Sequence, residues 1–178
     1  MNQLLKDSTL FRVLDVFFDD PVKDFQLREI SRMIKLTHKS VLIYLNQLLK
    51  LGLIKVNTKT LYKSYNANTE SPLFQRYKKT TNQMKIYESG LVDYLYEKLM
   101  PNTIVLFGGY AKGTDIRTSD IDLFIEAKEE KVDVSKFEEK LGRKIHLMFE
   151  KDISDLSKEL KNNIINGIVL SGNLRLFK

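Results

Sequence analysis

The sequence predicts a chain of the α/β (α+β) class: three short helices and a β-hairpin, then a mixed sheet flanked by helices. Three observations carry this. Apolar residues recur at helical spacing three times before residue 52, and two short strand-like runs around a polar tetrad follow. A fourth helical stretch fills residues 71–99. Beyond it, the strand-like runs 102–107 and 119–125 flank a Gly-Gly turn, and the second opens with an Asp-x-Asp pair.

The elements follow in order. Residues 8–18 read as a helix, capped by Ser8, with Leu10, Val13, Leu14, Phe17 and Phe18 on one stripe. Asp19-Asp20-Pro21 breaks it. A second helix covers about 26–35 with Leu27, Ile30 and Ile34 aligned. Thr37 is a good N-cap for a third helix running to about Leu51, with Val41, Leu42, Leu45, Leu48 and Leu49 inward and Gly52 as the stop. Residues 53–56 and 61–65 then pair as a hairpin across 57–60. Residues 71–99 form the long connection, with Leu73, Tyr77, Met84, Tyr87, Leu91 and Tyr94 at 3–4 spacing and Gly90 marking a bend. Residues 128–142 read as a charged helix, 143–150 as a strand, and 152–168 as a final helix. The expected division is 1–70, a connecting helix at 71–99, and 100–178.

Composition narrows the function classes. The chain has 178 residues, no cysteine and two histidines, so a disulfide framework, a thiolate metal site and a cysteine nucleophile are excluded. No apolar run approaches ~18 residues, so no membrane span is expected. The first residues lack a basic-then-apolar layout, and a cytoplasmic setting is the default expectation. The net charge of +6 is uneven: residues 1–70 hold 11 basic and 7 acidic side chains, residues 101–178 hold 13 of each. Such asymmetry hints at nucleic-acid contact by the first part, although an excess of this size is by itself ordinary.

Three helices followed by a hairpin, with the run "LLKLGLIKV", resemble a winged helix-turn-helix domain over residues ~8–67. The resemblance implies double-stranded DNA as partner, with the third helix in the major groove. At 100° per residue, Lys39, Ser40, Ile43, Gln47 and Lys50 face away from the apolar stripe. Lys39 and Lys50 suit phosphates, Ser40 and Gln47 suit base edges, and Ile43 suits a thymine methyl. Lys55, Lys59 and Lys63 make the hairpin cationic. His38 falls near the core side and reads as a boundary histidine.

The chemistry concentrates in residues 104–123. Glycines at a strand end let backbone N–H groups approach a triphosphate closely. Lys112 and Arg117 lie near enough in sequence to add charge. In a strand, residues i and i+2 share a face, so Asp120 and Asp122 project together. Two adjacent carboxylates are expensive without a cation between them, and Mg²⁺ is usually held by one or two carboxylates plus substrate phosphates. Glu126 has the same parity but lies ~13 Å beyond Asp122 at strand rise, too far to share a metal.

The run "GGYAKGTDIRTSDIDL", from Gly108 to Leu123, resembles the motif of the minimal nucleotidyltransferases of the DNA polymerase β-like superfamily. The tail "IINGIVLSG" at 164–172 is similar to the end of that family. The resemblance implies transfer of a nucleoside monophosphate from an NTP to an acceptor hydroxyl, with two Mg²⁺ ions. It puts the phosphates against Gly108 and Gly109 and the metals on Asp120 and Asp122. Ser119 joins the nucleotide contacts, Lys112 and Arg117 read either as nucleotide contacts or as an exposed helix face, and Tyr110 reads either as a substrate contact or as packing. Lys112 stands where the family usually has arginine. His146 stands where a third carboxylate is usual, in the strand "RKIHLMFE". It reads either as a base near neutral pH or as a replacement that costs activity, since histidine is a poor Mg²⁺ ligand. An alternative is therefore a DNA-binding regulator whose second domain only senses nucleotide. A homodimer through residues 71–99 and a toxin-type protein partner are further expectations.

Overall fold

The computed structural model describes residues 8–58 and 62–175. Two compact units emerge, one ending at Lys78 and the other beginning at Lys79. No described helix is long and apolar enough to cross a membrane.

In the first unit, α1 (Thr9–Asp19) buries Val13, Leu14, Val16, Phe17 and Phe18. Strand β1 (Phe25–Gln26) leads into α2 (Leu27–Ile34). Arg12 donates to the Ile34 carbonyl at 2.7 Å, satisfying an acceptor that the end of α2 leaves open. Thr37 caps α3 (His38–Lys50), its hydroxyl accepting from the Ser40 N–H at 3.2 Å. The hairpin is β2 (Ile54–Asn57) against β3 (Ser64–Ala67), with Val56 opposite Tyr65. β1 adds to β3, giving the strand order β1-β3-β2. The core joins Phe17, Phe18, Phe25, Ile30, Val41, Leu45, Leu48 and Tyr65.

Three expectations shift here. Leu42 is exposed rather than inward, because Val41, Leu45 and Leu48 already complete the narrow stripe α3 presents to the core. His38 is exposed at the first helical position, not on the core side. The second hairpin strand begins at Ser64 rather than 61, and Lys59 and Leu61 lie outside the described residues.

The helical stretch after residue 71 is two helices, α4 (Pro72–Ser89) and α5 (Leu91–Leu99). Gly90 separates them with φ +82°, as its position in the sequence suggested. The buried face of α4 is not the predicted one. Leu73, Tyr77 and Tyr87 are exposed, while Phe74, Lys78, Thr81, Asn82, Ile86 and Ser89 are buried. Polar side chains with specific partners occupy that face: Lys78 donates to the Phe18 carbonyl at 2.9 Å, and Asn82 bonds within the second unit. Hydropathy spacing misplaced the face because burial here follows hydrogen bonding.

The second unit is built on a four-stranded mixed sheet of order β6-β5-β4-β7. Its strands are β4 (Thr103–Phe107), β5 (Ile121–Glu126), β6 (Ile145–Glu150) and β7 (Ile168–Gly172). β5 is antiparallel to β4 and parallel to β6, and β7 is antiparallel to β4. One face (Ile104, Leu106, Ile121, Leu123, Ile125) packs with α5 and with Phe137 of α7 (Ser135–Leu141). The other face (Val105, Phe107, Phe124) packs with Ile153 and with Ile164 of α8 (Lys158–Ile165). Strands buried on both faces are why 104–107 and 123–125 read as continuous apolar runs. Residues 128–134 are not helical as expected, and the final helix is split into a 3₁₀ turn (Ile153–Asp155) and α8, with Ile165 exposed. β7 was not predicted as a strand.

The start of β6 is pinned by Glu138. Its carboxylate accepts from the Ile145 N–H at 3.0 Å and pairs with Lys144 at 3.0 Å. The Ile145 N–H above all, then Lys144, holds its carboxyl below the ordinary value of 4.5. A lowered carboxyl stabilises the fold above the unfolded value and loses that contribution as pH falls through the lowered one. Glu138→Gln is therefore expected to be less stable than the parent at neutral pH. The gap should close on acidification below the usual carboxylate range, followed by urea denaturation across pH.

Candidate nucleotide and metal site

The glycine turn and the Asp-x-Asp pair meet at one end of the sheet. β4 runs directly into the short helix α6 (Gly108–Lys112), and Phe107 pairs with Asp122 across β4 and β5. This register places the Asp122 carboxylate over the first residue of α6. Gly108 has φ +73°, and a Cβ there would overlap Asp122 Oδ2 and lie 3.4 Å from its Cγ. The positive φ calls for glycine, and an added Cβ would also push the Asp122 carboxylate aside. At Gly109 an added Cβ would find only ordinary contact, 3.7 Å from Asp115 and Thr114. Gly108→Ala is expected to cost about 1–3 kcal/mol in chemical denaturation, from the positive φ and the displaced carboxylate. Gly109→Ala should be close to neutral in the same measurement.

Asp122 meets its neighbour on the other side as well. In the parallel register of β5 and β6 it stands opposite His146, whose Nδ1 lies 3.5 Å from Asp122 Oδ1. The side chains remain open to solvent, 31% exposed for Asp122 and 61% for His146. Asp120 is exposed one residue before β5 begins. The predicted trio of Asp120, Asp122 and His146 therefore sits at one strand mouth. Among the described residues, no group of three or more His, Asp or Glu side chains is drawn together tightly enough to hold a metal on its own. Phosphate oxygens would have to complete the shell of any bound cation. The carboxylate oxygens suit a hard dication such as Mg²⁺, and the imidazole nitrogen does not.

The other predicted nucleotide contacts separate. Lys112 and Arg117 are exposed. Ser119 spends its hydroxyl on a turn, accepting from the Ile116 N–H at 3.0 Å. Tyr110 is 2% exposed, with its ring 5.3 Å from the Arg143 guanidinium, so its side chain takes the packing alternative.

Sequence reasoning missed the network behind the site. Asp115 is fully buried and pairs with Arg143, 8% exposed, at 2.9 Å. Asn82 of α4 donates to Asp115 Oδ1 at 2.7 Å and to the Tyr110 carbonyl at 2.9 Å. Arg143 also donates to the carbonyls of Ile116 and Ser119, the latter at 3.0 Å. These bonds fix residues 113–119, the loop joining α6 to Asp120. An acid inside a Gly-rich loop and an arginine before a strand were the visible signals, and nothing in their spacing linked them.

The second unit thus sets a glycine turn against a carboxylate-bearing strand of a mixed sheet. Residues 89–171 match the nucleotidyltransferase domain family. A similar solved chain is that of a crystal structure of the toxin-antitoxin with AMP-PNP. It is 24% identical, the match covers 48% of this chain and 73% of that chain, and the TM-score is 0.37. The comparison with curated proteins gives no match.

Proposed function

We infer that the chain is an NTP-dependent nucleotidyltransferase that transfers a nucleoside monophosphate to an acceptor hydroxyl. The observation that carries this is the Phe107–Asp122 register, which sets the side-chain-free Gly108 directly against a solvent-open carboxylate, within a segment matching the nucleotidyltransferase domain family. The backbone at Gly108 and Gly109 would admit the phosphates closely. Lys112 and Arg117, both exposed, would add positive charge around them. Asp120 and Asp122 would hold divalent cations, Mg²⁺ being the expectation from the family. A bound cation of this kind offsets phosphate charge and favours the deprotonated form of an oxygen nucleophile. The buried Asp115–Arg143 pair would keep the loop from letting Asp120 drift away from Asp122. Incubation with each labelled NTP, Mg²⁺ or Mn²⁺, and candidate acceptors tests the reading. Nucleotide binding without transfer to any acceptor would leave only the sensing role.

The first unit supports a DNA-binding reading of its own. α3 buries Val41, Leu45 and Leu48 completely and leaves Lys39, Ile43, Gln47 and Lys50 exposed on its outer side. The helix and strand order, with β1 completing the hairpin sheet, is the order a winged helix-turn-helix requires. Some sequence-assigned contacts are already engaged: the Ser40 hydroxyl lies 2.9 Å from Thr37 Oγ1, Lys55 pairs with Glu70 at 2.6 Å, and Lys63 sits over the Tyr65 ring. Lys39 and Gln47 are then the decisive pair. Lys39→Ala should weaken duplex binding across sequences and lower the salt slope by about one. Gln47→Ala should relax sequence preference by about 1–3 kcal/mol. Unchanged gel shifts in the double variant would refute the groove contact.

A further inference from the structure

The sheet of the second unit ends on two edge strands, β6 and β7, and they are guarded differently. β7 is bulged against β4 between Ile104 and Val105, and its Leu170 carbonyl accepts from the Tyr87 hydroxyl at 3.1 Å. A bulge and a covered carbonyl keep an edge from pairing further. β6 has no bulge and no proline: all of it pairs with β5 in unbroken parallel register. Among the described residues no strand pairs with its outer side. Its apolar side chains Ile145, Leu147, Met148 and Phe149 are half-buried, whereas Ile121, Leu123, Phe124 and Ile125 of β5 are fully buried.

The backbone fixes what β6 directs outward. The Lys144 carbonyl accepts from the Ile121 N–H, and the Ile145 N–H turns away from β5 to the Glu138 carboxylate. By alternation along the strand, Ile145, Leu147 and Phe149 point their backbone groups outward. The segment "KIHLMFE", residues 144–150, is complementary to its own reverse. Laid antiparallel on itself about Leu147, it sets Lys144 against Glu150, Ile145 against Phe149 and His146 against Met148. Leu147 with Leu147, and Ile145 with Phe149, then fall on the hydrogen-bonded positions of an antiparallel ladder.

We propose that β6 is a homodimerisation strand: its outer edge pairs antiparallel with β6 of a second copy of this chain, Leu147 lying on the two-fold axis. The two four-stranded sheets then become one continuous sheet. The paired Leu147 residues bond to one another and each Phe149 N–H bonds to an Ile145 carbonyl, so the Glu138–Ile145 contact stays in place. The cross-strand Lys144–Glu150 pairs set the register, and the half-buried apolar side chains gain cover. Pairing also brings the partner subunit's Met148 beside His146, at the strand mouth that carries Asp122. The second copy thus sits on β6 and not on residues 71–99.

The test uses the full chain. Sedimentation velocity over a concentration series should show a monomer–dimer equilibrium. Glu150→Lys turns both opposite-charge pairs into like-charge ones and should weaken dimerisation about tenfold or more. Lys144→Glu should do the same, and an equimolar mixture of the two variants should regain the dimer, because only the mixed pair matches its charges. Cross-linking gives a second readout that does not depend on Lys144, which also pairs with Glu138. The chain has no cysteine, so a single introduced one reports its own neighbour. Leu147→Cys would meet itself at a Cα spacing of about 5.5 Å, within disulfide range, and should give a linked dimer under mild oxidation. Met148→Cys, and Val169→Cys on the exposed side of β7, should not. A parent that stays monomeric throughout the series, an unchanged dimer in Glu150→Lys, or linkage through Met148→Cys or Val169→Cys in place of Leu147→Cys overturns the proposal.

Discussion

Asp122→Asn is expected to lower nucleotidyl transfer at least about a thousandfold while leaving the fold intact. The side chain is partly open, and asparagine keeps its size and its polar contact with His146. What changes is charge. A carboxylate that holds a cation against the phosphates contributes several kcal/mol to transition-state stabilisation, and each 1.36 kcal/mol is tenfold in rate. Asp122 also faces both Gly108 and His146, so an amide there removes the charge from the centre of the site. Glu126 lies at the far end of β5, opposite Glu150, and does not reach. The check is transfer of labelled nucleotide, with thermal denaturation in parallel. Transfer within tenfold of the parent would remove Asp122 from the site.

The second large effect is on stability. Asp115→Ala removes the counter-charge of Arg143 in a region where the pair is almost fully enclosed. Leaving one buried charge uncompensated costs about 3–5 kcal/mol, more than the pair itself is worth. Arg143 would lose its ion pair, and Asn82 would lose the acceptor at 2.7 Å. The loop carrying Ser119 and Asp120 would loosen with them, so nucleotide affinity should fall together with stability. Replacing both partners, as Asp115→Leu with Arg143→Met, should cost less than the sum of the two single changes, because no charge is stranded. Denaturation of the four proteins measures the coupling, expected at about 2 kcal/mol or more. Additive costs would show that Asp115 and Arg143 act independently.

Much of the architecture was readable because its signals are local. α1, α2 and α3 follow 3.6-residue stripes, with a side-chain cap at Thr37, none formed by the Ser8 hydroxyl, and a stop at Gly52. β4 and β5 follow apolar runs that only doubly covered strands produce. The Gly108–Gly109 turn and the Asp120-x-Asp122 parity came from spacing alone. Where partners are distant in the chain, the reading failed. The buried face of α4 turned on Lys78 reaching Phe18 and Asn82 reaching Tyr110, 60 and 28 residues away. β7 carries little pattern of its own and becomes a strand by pairing with β4.

The sequence by itself determined which candidate groups lie along the chain: a glycine turn, two acids two residues apart, and a histidine in a later strand. It also determined the uneven charge and the outward residues of α3, since helical and strand periods are properties of the local backbone. Only the tertiary structure decided who faces whom. The antiparallel register put Gly108 behind Asp122, and the parallel one put His146 beside it. Burial packed the Tyr110 ring beside Arg143, and made Asp115 and Arg143 the frame of the loop. Registers and buried ion pairs join segments tens of residues apart, and their energies depend on exclusion of water, which no local spacing encodes.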